Sequence, residues 1–104
     1  MKRIRVSDFT TLPGARYRDD GDYSADQFFE EFLEKEIENA LKSSETIVID
    51  LDNTLGYASS FVSQLAVRIK GLVQDRKKIK RIIKIESNDD PLQKEEFWNE
   101  INKK

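Results

Sequence analysis

The sequence predicts an α/β fold, a small mixed β-sheet with helices packed on it, with its elements in the order β-β-α-β-α-β-α. Three observations carry this. Residues 46–51, Thr-Ile-Val-Ile-Asp-Leu, are β-branched and almost wholly apolar, the composition of a strand buried on both faces. Apolar residues recur at helical spacing on either side of that run, over residues 25–42 and 60–73. A further β-branched run, residues 79–86, follows the second of those stripes. Strand, helix and strand in that succession form a crossover unit, so residues 46–86 should join parallel strands through a right-handed connection.

Each element has its own local reason. In residues 2–9, Ile4 and Val6 alternate with Arg3 and Arg5, which predicts a half-buried first strand. Pro13-Gly14 is a turn signal, and Ala15-Arg16-Tyr17-Arg18 reads as a short second strand, antiparallel to the first, before the turn at residues 19–22. Ser24 stands three residues before Gln27, a capping box, with Tyr23 and Phe28 placed as a hydrophobic staple. Phe28, Phe29, Phe32, Leu33, Ile37, Ala40 and Leu41 then make the buried stripe of a helix over 25–42. After the central strand, Phe61, Val62, Leu65, Ala66, Ile69, Leu72 and Val73 make a second stripe. Asp90 and Pro91 fit the cap and first turn of a last helix carrying Leu92, Phe97, Trp98 and Ile101. The expected core includes Phe28, Phe32, Val48, Phe61, Leu65 and Ile83.

Length and composition narrow the function classes. The chain has 104 residues, which is one domain spanning 1–104. It has neither Cys nor His, which removes thiolate nucleophiles, imidazole bases, structural zinc and disulfides. No apolar run approaches the roughly 20 residues of a membrane helix, and the N-terminus lacks the apolar segment of a signal peptide. A cytoplasmic protein is the expectation. The formal net charge is -2, so no global field favours nucleic acid. The charge is uneven, however: basic residues crowd residues 68–84 while the remainder is acidic, which marks either a solvated surface or a docking surface for an acidic partner or a phosphate.

Residues 50–54, Asp-Leu-Asp-Asn-Thr, follow an apolar strand and so match the first motif of the haloacid-dehalogenase phosphatases. There the first Asp attacks phosphorus and the second handles a proton. Asp89-Asp90 even follows the next strand, as a metal-binding pair does in those enzymes. Such a core needs more parallel strands than this chain can supply. The structural alternative is a turn built from Asp52, Asn53 and Gly56. The expectation is therefore no catalytic residue, no cofactor and no metal.

Two segments carry a resemblance. Pro13, Gly14, Arg16, Gly21, Tyr23, Ser24 and Phe28 form one pattern. Asp50, Leu51, Asp52, Gly56, Tyr57, Ser59, Ser60 and Phe61 form the other. Together they resemble the bacterial STAS-like proteins of uncharacterised function, more distantly the anti-sigma factor antagonists. The resemblance implies a non-enzymatic interaction domain acting as a switch or adaptor. It also implies a partner ATPase of the histidine-kinase-like type that phosphorylates a serine at the start of the helix after the central strand. By position Ser59 is the first candidate and Ser60 the second, although Ala58 and Phe61 depart from the flanking acid and glycine of the antagonists. The same serines are equally placed as helix N-caps. The docking or anion-binding surface would comprise Arg16, Gly56, Tyr57, Ser59, Ser60 and Phe61, with Tyr17 beside them. A homodimer stays open. The alternatives are a small magnesium-dependent phosphohydrolase using Asp50 and Asp52, and an anion- or nucleotide-binding module at the same helix start.

Overall fold

The computed structural model describes residues 1–57 and 60–103. Its elements are β1 (Lys2–Arg5), α1 (Val6–Phe9), a 3-10 turn (Arg18–Asp20), α2 (Ala25–Phe28), a π-turn (Phe29–Leu33), α3 (Glu34–Ser43), β2 (Ile47–Asp50), α4 (Phe61–Val73), α5 (Arg76–Ile82), β3 (Ile83–Glu86) and α6 (Pro91–Asn102). The strands form one sheet in the order β1-β2-β3, and both pairings are parallel.

That topology decides where the helices go. Two successive crossovers of the usual right hand, in an order that never reverses, put their helices on one face of the sheet. The register agrees. Ile4, Ile49 and Ile85 lie in one row and Ile47 and Ile83 in another, all on one face. All five belong to the hydrophobic core with Phe28, Phe29, Phe61, Leu65 and Phe97. The other face presents Arg3, Val48 and Lys84 in one row and Arg5, Asp50 and Glu86 in the next.

Four expectations are corrected. Residues 15–18 are not a strand, and no antiparallel hairpin forms among the described residues. The Ala15 and Arg16 carbonyls instead accept from the Ala25 and Asp26 amides, at 2.9 and 3.2 Å, so this stretch ties down the start of α2. The sheet is accordingly parallel, not mixed. The first strand ends at Arg5, because residues 6–9 close into a helical turn with the Thr10 amide on the Val6 carbonyl. Residues 79–82, expected to be strand, complete α5. Asp75 caps that helix by accepting from the Lys77 and Lys78 amides, so the polypeptide turns helically before it enters β3.

The long helical stripe holds, with one change of phase. Ser24 accepts from the Gln27 amide at 3.0 Å, and the Gln27 side chain accepts from the Tyr23 amide at 3.2 Å. Such a cap contributes about 1 kcal/mol. Phe9 packs edge-on to Tyr23 and against Phe28, so the staple runs through α1. At the π-turn the Glu34 amide donates to the Phe29 carbonyl, five residues back. One added residue in that turn rotates the buried face. Phe29, Leu33 and Ile37 point inward, whereas Phe32 is 38% exposed and stacks on Phe28 from outside. Phe32 is therefore not a core residue. Phe28, Val48, Phe61, Leu65 and Ile83 are all buried, as expected. Among the described residues no helix is long and apolar enough to cross a membrane.

Candidate functional site

The carboxyl end of β2 leads into the loop that carries most of the sequence-predicted site residues. The chain turns there because Asp50 accepts from the Asp52 amide at 2.9 Å. The other oxygen of the same carboxylate pairs with Arg3 at 3.0 Å, and Arg5 stands 3.8 Å away. Arg3 also bridges to Glu86 and has its pKa raised, first by that bond and then by the one to Asp50. Asp50 is thus shared between its own turn and two arginines of the neighbouring strand.

Asp52 is buried and fastens the loop to the far side of β3. One oxygen accepts from the Asn88 and Asp89 amides at 2.7 and 2.8 Å, and the other accepts from the Asn88 side-chain amide at 3.0 Å. Asn53, left-handed at φ +66°, donates its amide to Asp89 at 2.9 Å. The two acidic motifs therefore do meet in space. They meet as carboxylates bound to backbone amides, across 36 and 37 residues of sequence. Among the described residues, no group of three or more His, Cys, Asp or Glu side chains is placed to hold a metal ion.

Gly56 and Tyr57 close the loop. Gly56 sits at φ +128° with open space where a Cβ would stand, so its backbone angle, not crowding, calls for glycine. The Tyr57 hydroxyl donates to the Leu51 carbonyl at 2.8 Å, and its ring packs on Phe61 at 5.7 Å. Burial is the main cause that raises the Tyr57 pKa well above its ordinary value. The nearby Asp50 and Asp52 charges add to this, against a lowering hydrogen bond with Thr54.

The remaining predicted residues are less united. Ser60 occupies the N-cap position of α4 at φ +74°, with its carbonyl accepting from the Gln64 amide at 2.9 Å. Ser59, like Ala58, lies outside the described residues. Phe61 is fully buried, so it serves the core and offers no surface to a partner. Arg16 is exposed on the loop before α2 with its guanidinium over the Tyr17 ring at 5.6 Å. It shares no hydrogen bond or ion pair with Gly56, Tyr57 or Phe61. Arg18, in the same loop, pairs with Glu30 and has its pKa raised first by that hydrogen bond.

Sequence reasoning missed a pair of leucines. The Leu55 amide donates to the Thr11 carbonyl at 2.7 Å, joining the loop after β2 to the loop after α1. Leu55 is 79% exposed and Leu12 is 65% exposed. The available signal was an apolar residue inside an otherwise polar turn, at both positions. Asn88 was missed too, since nothing local marks it as the partner of Asp52.

These features define a class: a two-layer parallel α/β domain whose central strand runs through a pinned, partly apolar loop into a helix. The chain belongs to the family described as a STAS-like domain of unknown function (DUF4325), whose family model matches residues 25–93. That span holds the second of the two resembling segments and begins just after most of the first. No curated protein and no solved structure matches the chain.

Proposed function

We propose that this STAS-like domain is a non-enzymatic interaction module, a switch or adaptor, that docks its partner through the loop after β2. The observation that carries this is the pair of exposed leucines on two hydrogen-bonded loops. Leu55 projects from a loop that Asp52 and Tyr57 hold in place, and Leu12 follows the Thr11 carbonyl to which the Leu55 amide is bonded, so the exposure of both is built into the fold. An apolar contact on a fixed loop presents a partner with a preformed surface and limits the ordering cost of binding. The partner class follows from the likeness to anti-sigma factor antagonists: an ATPase of the histidine-kinase-like type. Phosphorylation of Ser59 or Ser60 would place a dianion at the start of the 13-residue helix α4, where the helix dipole favours it.

The engagement of both motif carboxylates supports a binding role over phosphoryl transfer. Asp50 is held by arginines and its own turn, and Asp52 by amides, so neither carboxylate stands unengaged to attack phosphorus.

The test is recovery of the partner from native cytoplasm, with the intact mass of the recovered chain, followed by titration calorimetry with the purified partner. Leu55→Arg should fold with an unchanged melting curve, since the side chain is exposed, and should lower affinity at least about tenfold, or roughly 1.4 kcal/mol. Parental affinity in Leu55→Arg would remove this loop from the interface. Magnesium-dependent turnover of an aryl phosphate that disappears in Asp50→Asn would replace the binding reading with the enzyme.

A further inference from the structure

Residues 76–84, Arg-Lys-Lys-Ile-Lys-Arg-Ile-Ile-Lys, hold six of the chain's 18 basic residues and none of its 20 acidic ones. The rest of the chain sets 12 basic residues against those 20 acids, a net charge of -8. The fold turns this run into a surface. Ile79 and Ile82 are buried and fix one side of α5 to the core. Lys77, Lys78, Lys80 and Arg81 are left exposed on the helix, and Lys84 continues the series onto the uncovered face of the sheet, in register with Val48.

These charges lack the carboxylate partners that six cations elsewhere have, as do the scattered Lys2, Arg16, Lys35, Lys42 and Lys94 among the described residues, but here they stand together. Among the described residues no carboxylate forms an ion pair with Lys77, Lys78, Lys80, Arg81 or Lys84. Arg3, Arg5, Arg18, Arg68, Lys70 and Lys103 all have carboxylate partners. Asp75, just before the run, holds the Lys77 and Lys78 amides with one carboxylate oxygen, and Glu86, just after it, pairs with Arg3. Arg76 turns away to donate to the Lys103 carbonyl at 2.7 Å. Like charges this close are within the roughly 8–10 Å over which salt fails to screen them. Carboxylates brought by a partner relieve that repulsion.

The geometry points to a second docking surface, in which α5 and the exposed side of β3 take a short acidic segment of a protein partner through Lys77, Lys80, Arg81 and Lys84. A short segment suits the charge distribution. A nucleic acid extends well beyond the patch and would meet the acidic remainder of the molecule, and the run contains no aromatic residue on which bases stack. A bilayer has the same breadth, and none of the exposed large apolar side chains lies on α5 or β3 to insert into it. Because α5 enters β3, this surface lies at the amino end of the parallel strands. The Leu55 loop leaves β2 at the carboxyl end. The two surfaces are separate, and the second stands or falls independently of the first.

The test uses the full chain and a fluorescent peptide of consecutive glutamates, followed by anisotropy. The parent should bind, more weakly as salt rises. Lys80→Glu/Arg81→Glu/Lys84→Glu should lower affinity at least about tenfold, while Lys35→Glu/Lys42→Glu/Lys94→Glu, with the same change in net charge at exposed sites elsewhere, should change it less than about twofold. Circular dichroism checks that both fold, and Lys80→Gln/Lys84→Gln, expected to weaken binding in the same direction, serves if the first does not. Three results overturn the proposal: no binding by the parent, equal losses in the two triple variants, or tighter binding to a DNA duplex or to phosphatidylserine vesicles than to the peptide.

Discussion

The two faces of the sheet are built from alternate residues of the same three tetrapeptides, yet they behave as different materials. On one face five of the six residues are isoleucines, Lys2 being the sixth, and all five belong to the core with the helices. The other has Val48 at its centre, ringed by Arg3, Arg5, Lys84, Asp50 and Glu86. Val48 and Asp50 are nevertheless almost as buried as the isoleucines. No helix does this. The ion pairs of Arg3 and Arg5 with Asp50 draw long side chains across the strand, and arginine stems cover apolar surface while their heads stay wet. Burial on the helix face thus comes from packing, and burial on the open face from an electrostatic lid. Equal exposure should then conceal unequal energetic importance.

The largest expected effect tests that inequality directly on neighbouring residues. Ile49→Ala removes a fully buried side chain from the core and should cost about 2–5 kcal/mol. That is a large share of the 5–15 kcal/mol typical of a domain. Val48→Ala, one residue earlier and nearly as buried, should cost only about 1–2 kcal/mol. Urea unfolding of the two variants gives the comparison. Equal losses would mean that the open face is as tightly packed as the helix face.

The same contrast explains what could be read from the sequence. Period-2 alternation in β1 states its polarity openly, since Arg3 and Arg5 flank Ile4. The central run Ile47-Val48-Ile49 has no alternation, so it reads as buried on both sides without saying by what. Caps and helix faces were legible because their partners lie within four residues: Ser24 with Gln27, Asp90 with the Leu92 amide. The helix at 76–82 had such a signal in Asp75, but the β-branched series Ile79, Ile82, Ile83 and Ile85 outweighed it. The π-turn has no local mark at all, which is why helical spacing alone puts Phe32 in the core. The candidate site could be read from the sequence only as a place, the carboxyl end of the central strand. Its wiring could not, because Asp52 finds Asn88 and Asp89, and Asp50 finds Arg3, through the register of parallel strands far apart in sequence.

A smaller effect should come from the lid. In Asp50→Asn one oxygen can still accept from the Asp52 amide, but the charge that draws in Arg3 and Arg5 is gone. The expected loss is about 2 kcal/mol, within the range for hydrogen bonds to charged groups. Arg3 is partly exposed, so the difference from the parent should shrink as salt is added. The loss from Ile49→Ala should not. Salt-independent destabilisation in Asp50→Asn would show that the carboxylate acts through the turn alone.

The smallest effect extends the comparison past the end of the strand, where Tyr57 leans toward Asp50 and Asp52 and donates to the Leu51 carbonyl. Tyr57→Phe should cost about 0.5–1.5 kcal/mol at neutral pH, the usual net value of one hydrogen bond. Its pH dependence is more diagnostic than its size. The fold raises the phenol's pKa above the ordinary 10.0, chiefly by burial, so it favours the neutral form. The stability this supplies is complete below the unfolded value and is lost as pH rises above it, toward and through the raised folded value. The parent's advantage over Tyr57→Phe should therefore be constant from neutral to mildly alkaline pH and narrow above pH 10. All other titrating groups are common to both proteins and cancel in the difference. A gap that stays constant or widens in strong alkali would mean that the hydroxyl is not the buried donor holding the loop to Leu51, and that Leu55 is presented by a looser segment than the one described.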